Sequence, residues 1–250
     1  MARVVVLTGS ADLAWRLVFL TGIVPAAIAL WIRRRIREPE TWTAERGAVP
    51  RLAELFAPEL RRATLGALAL CLVTLVTWWG VTAFLPFVAA SFAPAGGVVD
   101  VAAQIRRSTN AFNLGGLVGT IATIPLARLG RRRLFALYFL GAALAIWTTF
   151  GLAWEPATRI RLLFLVGLTV FGVNGAYSFY LPELFPIRLR GTGAGFCFNT
   201  GRLVAAAGPY LVGAALGSVA TPMDAIRWVA IVPLVGLAVV PTIVETAPCR

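Results

Sequence analysis

Seven blocks of apolar sequence, each close to twenty residues or longer and fenced by arginines, leave this chain little choice of solvent. They run over 15–32, 63–90, 108–127, 134–154, 161–182, 192–217 and 225–244. At 1.5 Å per residue, about twenty helical residues cross the roughly 30 Å of hydrocarbon in a bilayer. Inside lipid every backbone amide must be bonded internally, so each block is expected as a membrane-spanning helix. Composition agrees: the chain is 59% hydrophobic with a mean hydropathy of +0.82, well above the roughly 45–50% apolar of soluble domains. The expected fold class is therefore an all-α integral membrane protein with seven transmembrane helices, and its first partner is the lipid bilayer.

A net charge of +12 could point to nucleic acid, but its placement argues against that partner. All 23 basic residues are arginine, set in short runs between apolar blocks where they meet lipid phosphates, and no long basic face tracks a nucleic-acid backbone. With 33–62 on the cytoplasmic side, fifteen arginines lie on that side and seven on the other. That bias predicts a multi-pass protein of the inner or plasma membrane with a cytoplasmic C-terminus. The run Arg33-Arg34-Arg35-Ile36-Arg37 reads as a stop-transfer flank rather than a cleavage site. Cys71, Cys197 and Cys249 have no metal spacing, so neither a metal nor a cofactor is expected. Three stretches follow: 1–32, an outer segment with the first span; 33–62, a polar linker holding the amphipathic piece R-L-A-E-L-F-A-P-E-L-R-R; and 63–250, a six-helix unit. The amphipathic piece is expected along the membrane surface, its Leu and Phe toward lipid or protein. Small-residue pairs at Gly115/Gly119, Gly191/Gly195 and Gly213/Gly217 either mark close helix contacts or reflect how common glycine is in membrane helices.

The first and last spans echo one another. Asp12-Leu13-Ala14-Trp15-Arg16 opens one and Asp224-Ala225-Ile226-Arg227-Trp228 the other; Pro39-Glu40-Thr41 follows the first and Val244-Glu245-Thr246 the last. If the two are equivalent, each closes a six-helix repeat, and the first repeat lacks its other helices.

Four stretches carry a family resemblance over nearly the whole chain: W-R-L-V-F-L-T-G-I-V-P-A followed by R-R-R-I-R-E-P-E-T-W, P-L-A-R-L-G-R-R-R-L-F at 125–135, P-E-L-F-P-I-R-L-R-G at 182–191, and V-E-T at 244–246. Together they resemble the major facilitator superfamily, as the last helix of an N-terminal half, the central loop and a complete C-terminal half. The run G-T-G-A-G-F-C-F-N-T-G-R at 191–202 is most similar to organic-acid and sugar porters. The resemblance implies one six-helix bundle, alternating access, and a small organic acid or sugar as solute, proton-coupled in the complete protein. It also implies a truncated form, whose alternative is a non-transporting fragment or a half-transporter needing a partner chain. The family's signature loop carries an aspartate where this chain has Ala127, leaving Arg128, Gly130, Arg131 and Arg132. With Glu183, Arg188 and Arg190 these form the expected cytoplasmic gate, in which Glu183 pairs with Arg188, Arg190 or the 128–132 loop.

None of the 11 acidic residues falls inside a span, and there is no histidine. Coupling residues then lie outside this chain, or the protein is a uniporter, or it does not transport. Arg202 is the one charge within a span, near mid-depth. It either clamps a substrate carboxylate bidentately, with Asn199 on the same face, or pairs structurally with another half. Asn174, Tyr177, Ser178 and Leu181 share one helical face, which lines the solute path or bonds a neighbouring helix. Asn110 and Asn113 have similar spacing, and Trp78 beside Trp79 either stacks on a ring or packs. No catalytic constellation is visible, so an enzyme is not expected. A seven-helix receptor remains a remote alternative, without the lysine that a retinal Schiff base needs.

Overall fold

Every element the chain forms among its described residues is helical, as the apolar blocks require. The computed structural model describes residues 11–35, 49–92, 101–208, 210 and 221–246. It divides into two units, Met1–Gly47 and Ala48–Arg250. In the first, α1 (Ala11–Leu20) and α2 (Ile23–Arg35) are joined by a turn in which Thr21 Oγ1 donates to Val18 O at 2.6 Å. Together they supply an apolar span, Trp15–Arg35. Its three closing arginines sit where the helix dipole is negative.

The second unit opens with a 3-10 turn, Leu52–Phe56, and continues through α3 (Pro58–Thr82) and α4 (Leu85–Ala90). Pro86 accounts for the break between these helices, since it has no N–H to give Thr82 O. Then come α5 (Val101–Leu126), α6 (Arg131–Gly151) and α7 (Pro156–Val166). A π-turn at Gly167–Phe171 carries α7 into α8 (Asn174–Glu183). After α9 (Arg190–Ala205), the last span is built from α10 (Pro222–Val229) and α11 (Ile231–Val239), parted just before Pro233. Six helical stretches are long and apolar enough to cross a membrane: Trp15–Arg35, Pro58–Ala90, Val101–Leu129, Arg131–Gly151, Pro156–Glu183 and Met223–Thr242. The expected span at 192–217 is described through α9, and its 211–217 end, with the Gly213/Gly217 pair, lies outside the described residues. So do Cys249, residues 36–48 of the linker and the C-terminal Arg250.

Within this unit α3 packs on α9 and α11, α5 on α7 and the π-turn, and α6 on α7, α10 and α11. Glycine sets the closest approach. A Cβ at Gly115 would lie 1.9 Å from Phe164 O, one at Gly119 2.1 Å from Leu168 O, and one at Gly167 1.9 Å from Phe112 O. The Gly115/Gly119 pair is thus a true contact face. The Gly191/Gly195 pair is not, because a Cβ at Gly191 meets nothing within 4 Å. Gly193 does that work instead, with Phe185 ring carbons 2.6 Å from the position of its missing Cβ.

Two apolar clusters fill the bundle. One gathers Leu55, Phe135, Tyr180, Cys197 and Ile243, the other Phe84, Phe112, Ile146, Leu163 and Ile226. Leu55 belongs to the amphipathic piece and is fully buried, its carbonyl accepting from Thr64 Oγ1 at 2.6 Å, while Leu52 stays exposed. That piece therefore turns its central leucine into protein. Leu114, Leu117, Ile121, Ile124, Leu140 and Leu144 remain on the outside, an apolar exterior suited to lipid rather than water.

Candidate functional site

Charge collects where α6 begins and α8 ends. Gly130, at φ 94°, takes the left-handed conformation that glycine adopts without steric cost and starts α6 directly behind the preceding turn. The next residue, Arg131, is buried at 2% exposure. Its Nε donates to Glu183 Oε2 at 3.0 Å, its Nη2 to Glu183 Oε1 at 2.7 Å, and its Nη1 to Ala127 O at 3.0 Å. Its guanidinium also lies 4.8 Å from the centroid of the Phe179 ring. This is the bidentate fork that arginine and carboxylate geometry favours. Of the three partners expected for Glu183, the loop arginine is the one engaged.

Four residues not singled out for a role add contacts at this end. Thr246 Oγ1 donates to Glu183 Oε2 at 2.5 Å. The carboxylate of Glu245 accepts the backbone amides of Arg131 and Arg132 at 2.5 and 3.0 Å, capping α6 with charge at the positive end of its dipole. Arg132 Nε and Nη2 donate to Ile243 O at 3.2 and 2.8 Å, and Tyr180 OH donates to Val244 O at 3.0 Å. Glu54 is the fourth, an ion-pair partner for Arg188 that ties the Leu52–Phe56 turn to the α8–α9 loop. Hydrogen bonds from the Arg188 side chain and the Arg51 amide hold its carboxyl below the usual glutamate range. Arg190 Nε reaches Phe185 O at 3.3 Å, and Arg128 is exposed. The Arg131–Glu183 fork and its Glu245 and Thr246 partners all lie inside one unit, binding α6, α8 and the tail to one another.

A second locus lies further along the helices. Arg202 of α9 and Trp78 and Trp79 of α3 line an open pocket of about 440 Å³ with Ala206. Arg202 is exposed, its guanidinium carbon 4.9 Å from the Phe198 ring centroid. The two indoles stand edge to face at 5.2 Å, and Trp78 also packs on Phe171 at 5.9 Å. Trp78 thus packs on Phe171 on one side and walls the pocket on the other.

The remaining candidates scatter. Asn199 is exposed with its amide turned back onto Gly195 O at 2.8 Å. Asn174 Nδ2 donates to Phe171 O at 3.0 Å and Ser178 Oγ to Gly175 O at 2.7 Å, both within their own segment. Tyr177 departs from the expected path-lining face: it is buried, its hydroxyl 2.6 Å from Thr74 Oγ1 and donating to Leu70 O at 2.8 Å. It is a helix-to-helix hydrogen bond in the core. Asn110 and Asn113 are exposed on α5. Among the described residues no cluster of His, Cys, Asp or Glu is placed to hold a metal.

A family model described as Major Facilitator Superfamily matches residues 4–209. The 3-(3-hydroxy-phenyl)propionate transporter of Escherichia coli is 30% identical over 209 residues, which cover 81% of this chain and 49% of that protein. The "Probable 4-methylmuconolactone transporter" of Cupriavidus pinatubonensis is 29% identical, over 78% of this chain and 45% of its own length. The cis,cis-muconate transport protein of Acinetobacter baylyi is 26% identical, over 81% and 50%. The chain thus spans about half the length of the curated relatives it matches.

Proposed function

The chain belongs to the major facilitator superfamily, and on that premise we propose that it forms the solute-handling C-terminal half of a secondary transporter for small organic acids. The carrying observation is the pocket in which Arg202 stands beside Trp78 and Trp79. A guanidinium at mid-depth is costly unless it meets an anion or a cavity, and its planar fork matches a carboxylate. Two indoles within the same 440 Å³ offer an apolar wall to a ring or a conjugated chain. The names of the relatives fit that chemistry, since propionate and muconate are both carboxylates. Family membership sets aside the seven-helix receptor and speaks for a transporter rather than an enzyme.

Alternating access would carry the solute between two bundles that rock about a midplane site. No described span holds an aspartate or glutamate away from its ends. The proton-carrying carboxylate of a symporter would then lie in the half of the relatives that this match leaves out. The Arg131–Glu183 fork is proposed to keep the arginine-rich end of this half rigid while it rocks, with that end and the C-terminus in the cytoplasm.

The test is binding by the purified chain of 3-phenylpropionate against its amide. The acid should bind and the amide should not, and Arg202→Gln should weaken acid binding roughly 10- to 100-fold through loss of a charge-assisted bidentate contact. Equal affinity of wild type and Arg202→Gln for the acid would remove Arg202 from the site.

A further inference from the structure

Where α3 begins and the last span finishes, a groove of about 450 Å³ runs between the two helices. Its rim holds Arg61 and Arg62, and its floor Leu65, Gly66, Ala69 and Val239. From Arg61 to Ala69 the helix descends two turns, about 12 Å at 1.5 Å per residue, so charge gives way to hydrocarbon within one lipid headgroup's depth. Gly66 lets the helices close up, Ile243 lying 3.6 Å from where its Cβ would be, which makes the groove shallow and open along its side. Arg62 is fixed in place because its Nε donates to Thr242 O at 3.2 Å. Arg61 is exposed and forms no ion pair among the described residues. Arg132 engages the next carbonyl, Ile243 O, and is paired with Glu245 at 3.9 Å, so the free charge at the rim is that of Arg61 and Arg62. Glu245 is occupied in capping α6, and Glu59 is not part of the groove lining.

We propose that this groove seats one anionic phospholipid, its phosphate held between Arg61 and Arg62 and an acyl chain laid along Leu65, Ala69 and Val239. Charge complementarity selects the anion, since the ammonium of a zwitterionic headgroup would be brought near two guanidiniums. The apolar floor selects a lipid over a free phosphate, because a phosphate alone would leave that floor uncovered. The occupant would join the first helix of the bundle, directly after the linker, to the last one.

Native mass spectrometry of the purified full chain tests this, with phosphatidylglycerol and phosphatidylcholine offered at equal concentration. Phosphatidylglycerol should be retained in preference. Its apparent affinity should fall roughly fivefold in Arg61→Gln and about thirtyfold in Arg61→Gln/Arg62→Gln. Ala69→Phe, which fills the floor, should also reduce retention while both arginines stay in place. Because Arg62 supports Thr242, circular dichroism accompanies the double variant, and if that variant misfolds the single Arg61→Gln decides. Equal retention of the two lipids, or an unchanged affinity in Arg61→Gln, overturns the proposal. Full competition by glycerol 3-phosphate would show a free-phosphate site and overturn the lipid assignment.

Discussion

Replacing Glu183 by alanine would leave Arg131 as a buried cation without its carboxylate. The guanidinium would keep its bond to Ala127 O and the face of Phe179, and would lose two charge-assisted hydrogen bonds of 2.7 and 3.0 Å. Breaking a buried pair by removing one partner costs about 3–5 kcal/mol. The Glu183 side chain is 22% exposed against 3% for Arg131, so water can enter the vacated space and the lower end, about 3 kcal/mol, applies. For a unit of some two hundred residues at about 2–4 °C per kcal/mol, the melting temperature should fall by about 6–12 °C. Thermal unfolding in detergent, followed by intrinsic fluorescence at fixed scan rate, measures it. Thr246→Ala removes one hydrogen bond to the same carboxylate and should cost about 1 kcal/mol. The pair Arg131→Met/Glu183→Leu leaves no orphaned charge and should recover most of the loss. A Glu183→Ala protein melting within 1 °C or so of wild type would refute the reasoning, as would a double variant no more stable than the single one.

Three further outcomes follow from the geometry. Gly167→Ala would drive a methyl to 1.9 Å from Phe112 O and should destabilise by at least about 1–3 kcal/mol, whereas Gly191→Ala meets open space and should be neutral or gain up to about 1 kcal/mol; chemical or thermal unfolding of the pair separates them. Gly130→Ala forces a side chain to φ 94° and to 2.9 Å from Glu245 Oε1, so it should cost about 1–3 kcal/mol and raise hydrogen exchange at the first amides of α6. The Glu54–Arg188 tie should respond to acid with a defined sign. Because the folded carboxyl is held below its ordinary 4.5, the tie is complete above that value and is lost only as pH falls through the lowered one. Limited proteolysis at Leu52–Phe56 should be flat from pH 7 down to about 4.5 and rise only below it, and high salt should enhance cleavage because the pair is partly exposed.

Six of the seven expected spans were legible because the requirement to satisfy every backbone amide in lipid is written locally, in block length. The breaks near Pro86 and Pro233 were not expected, since 63–90 and 225–244 each read as one span; the missing N–H of each proline interrupts the helix ladder. The signature loop and Glu183 were legible as charges in a chain that has few, but their pairing was not. Arg131 and Glu183 are 52 residues apart, and no local pattern separates Arg131 from Arg188 or Arg190 as partner. Glu245 was further out of reach, 114 residues from the amide it caps, although it stood in a stretch quoted for its resemblance. Tyr177 shows a different limit. Helical spacing put it with Asn174 and Ser178, yet a tyrosine reaches far enough to find Thr74 and Leu70 O on a neighbouring helix. Among the glycines, the i, i+4 spacing picked Gly115/Gly119 correctly, whereas within 191–195 the close contact falls on Gly193 alone, because what matters is the ring of Phe185 opposite it.

The capping of α6 by Glu245 also orders events in time. When a ribosome has made Arg131–Gly151, that helix begins with three arginines at the positive end of its own dipole, and its first amides have no carboxylate to meet. Glu183 arrives 52 residues later and Glu245 another 62 after that. At about 5–20 residues per second, the nascent helix waits about 6–23 s for its cap. Through that interval the arginines have lipid phosphates and water as their partners, which holds this end of the helix at the surface while later spans insert. The cluster therefore closes only after the last described helix, α11, has been made.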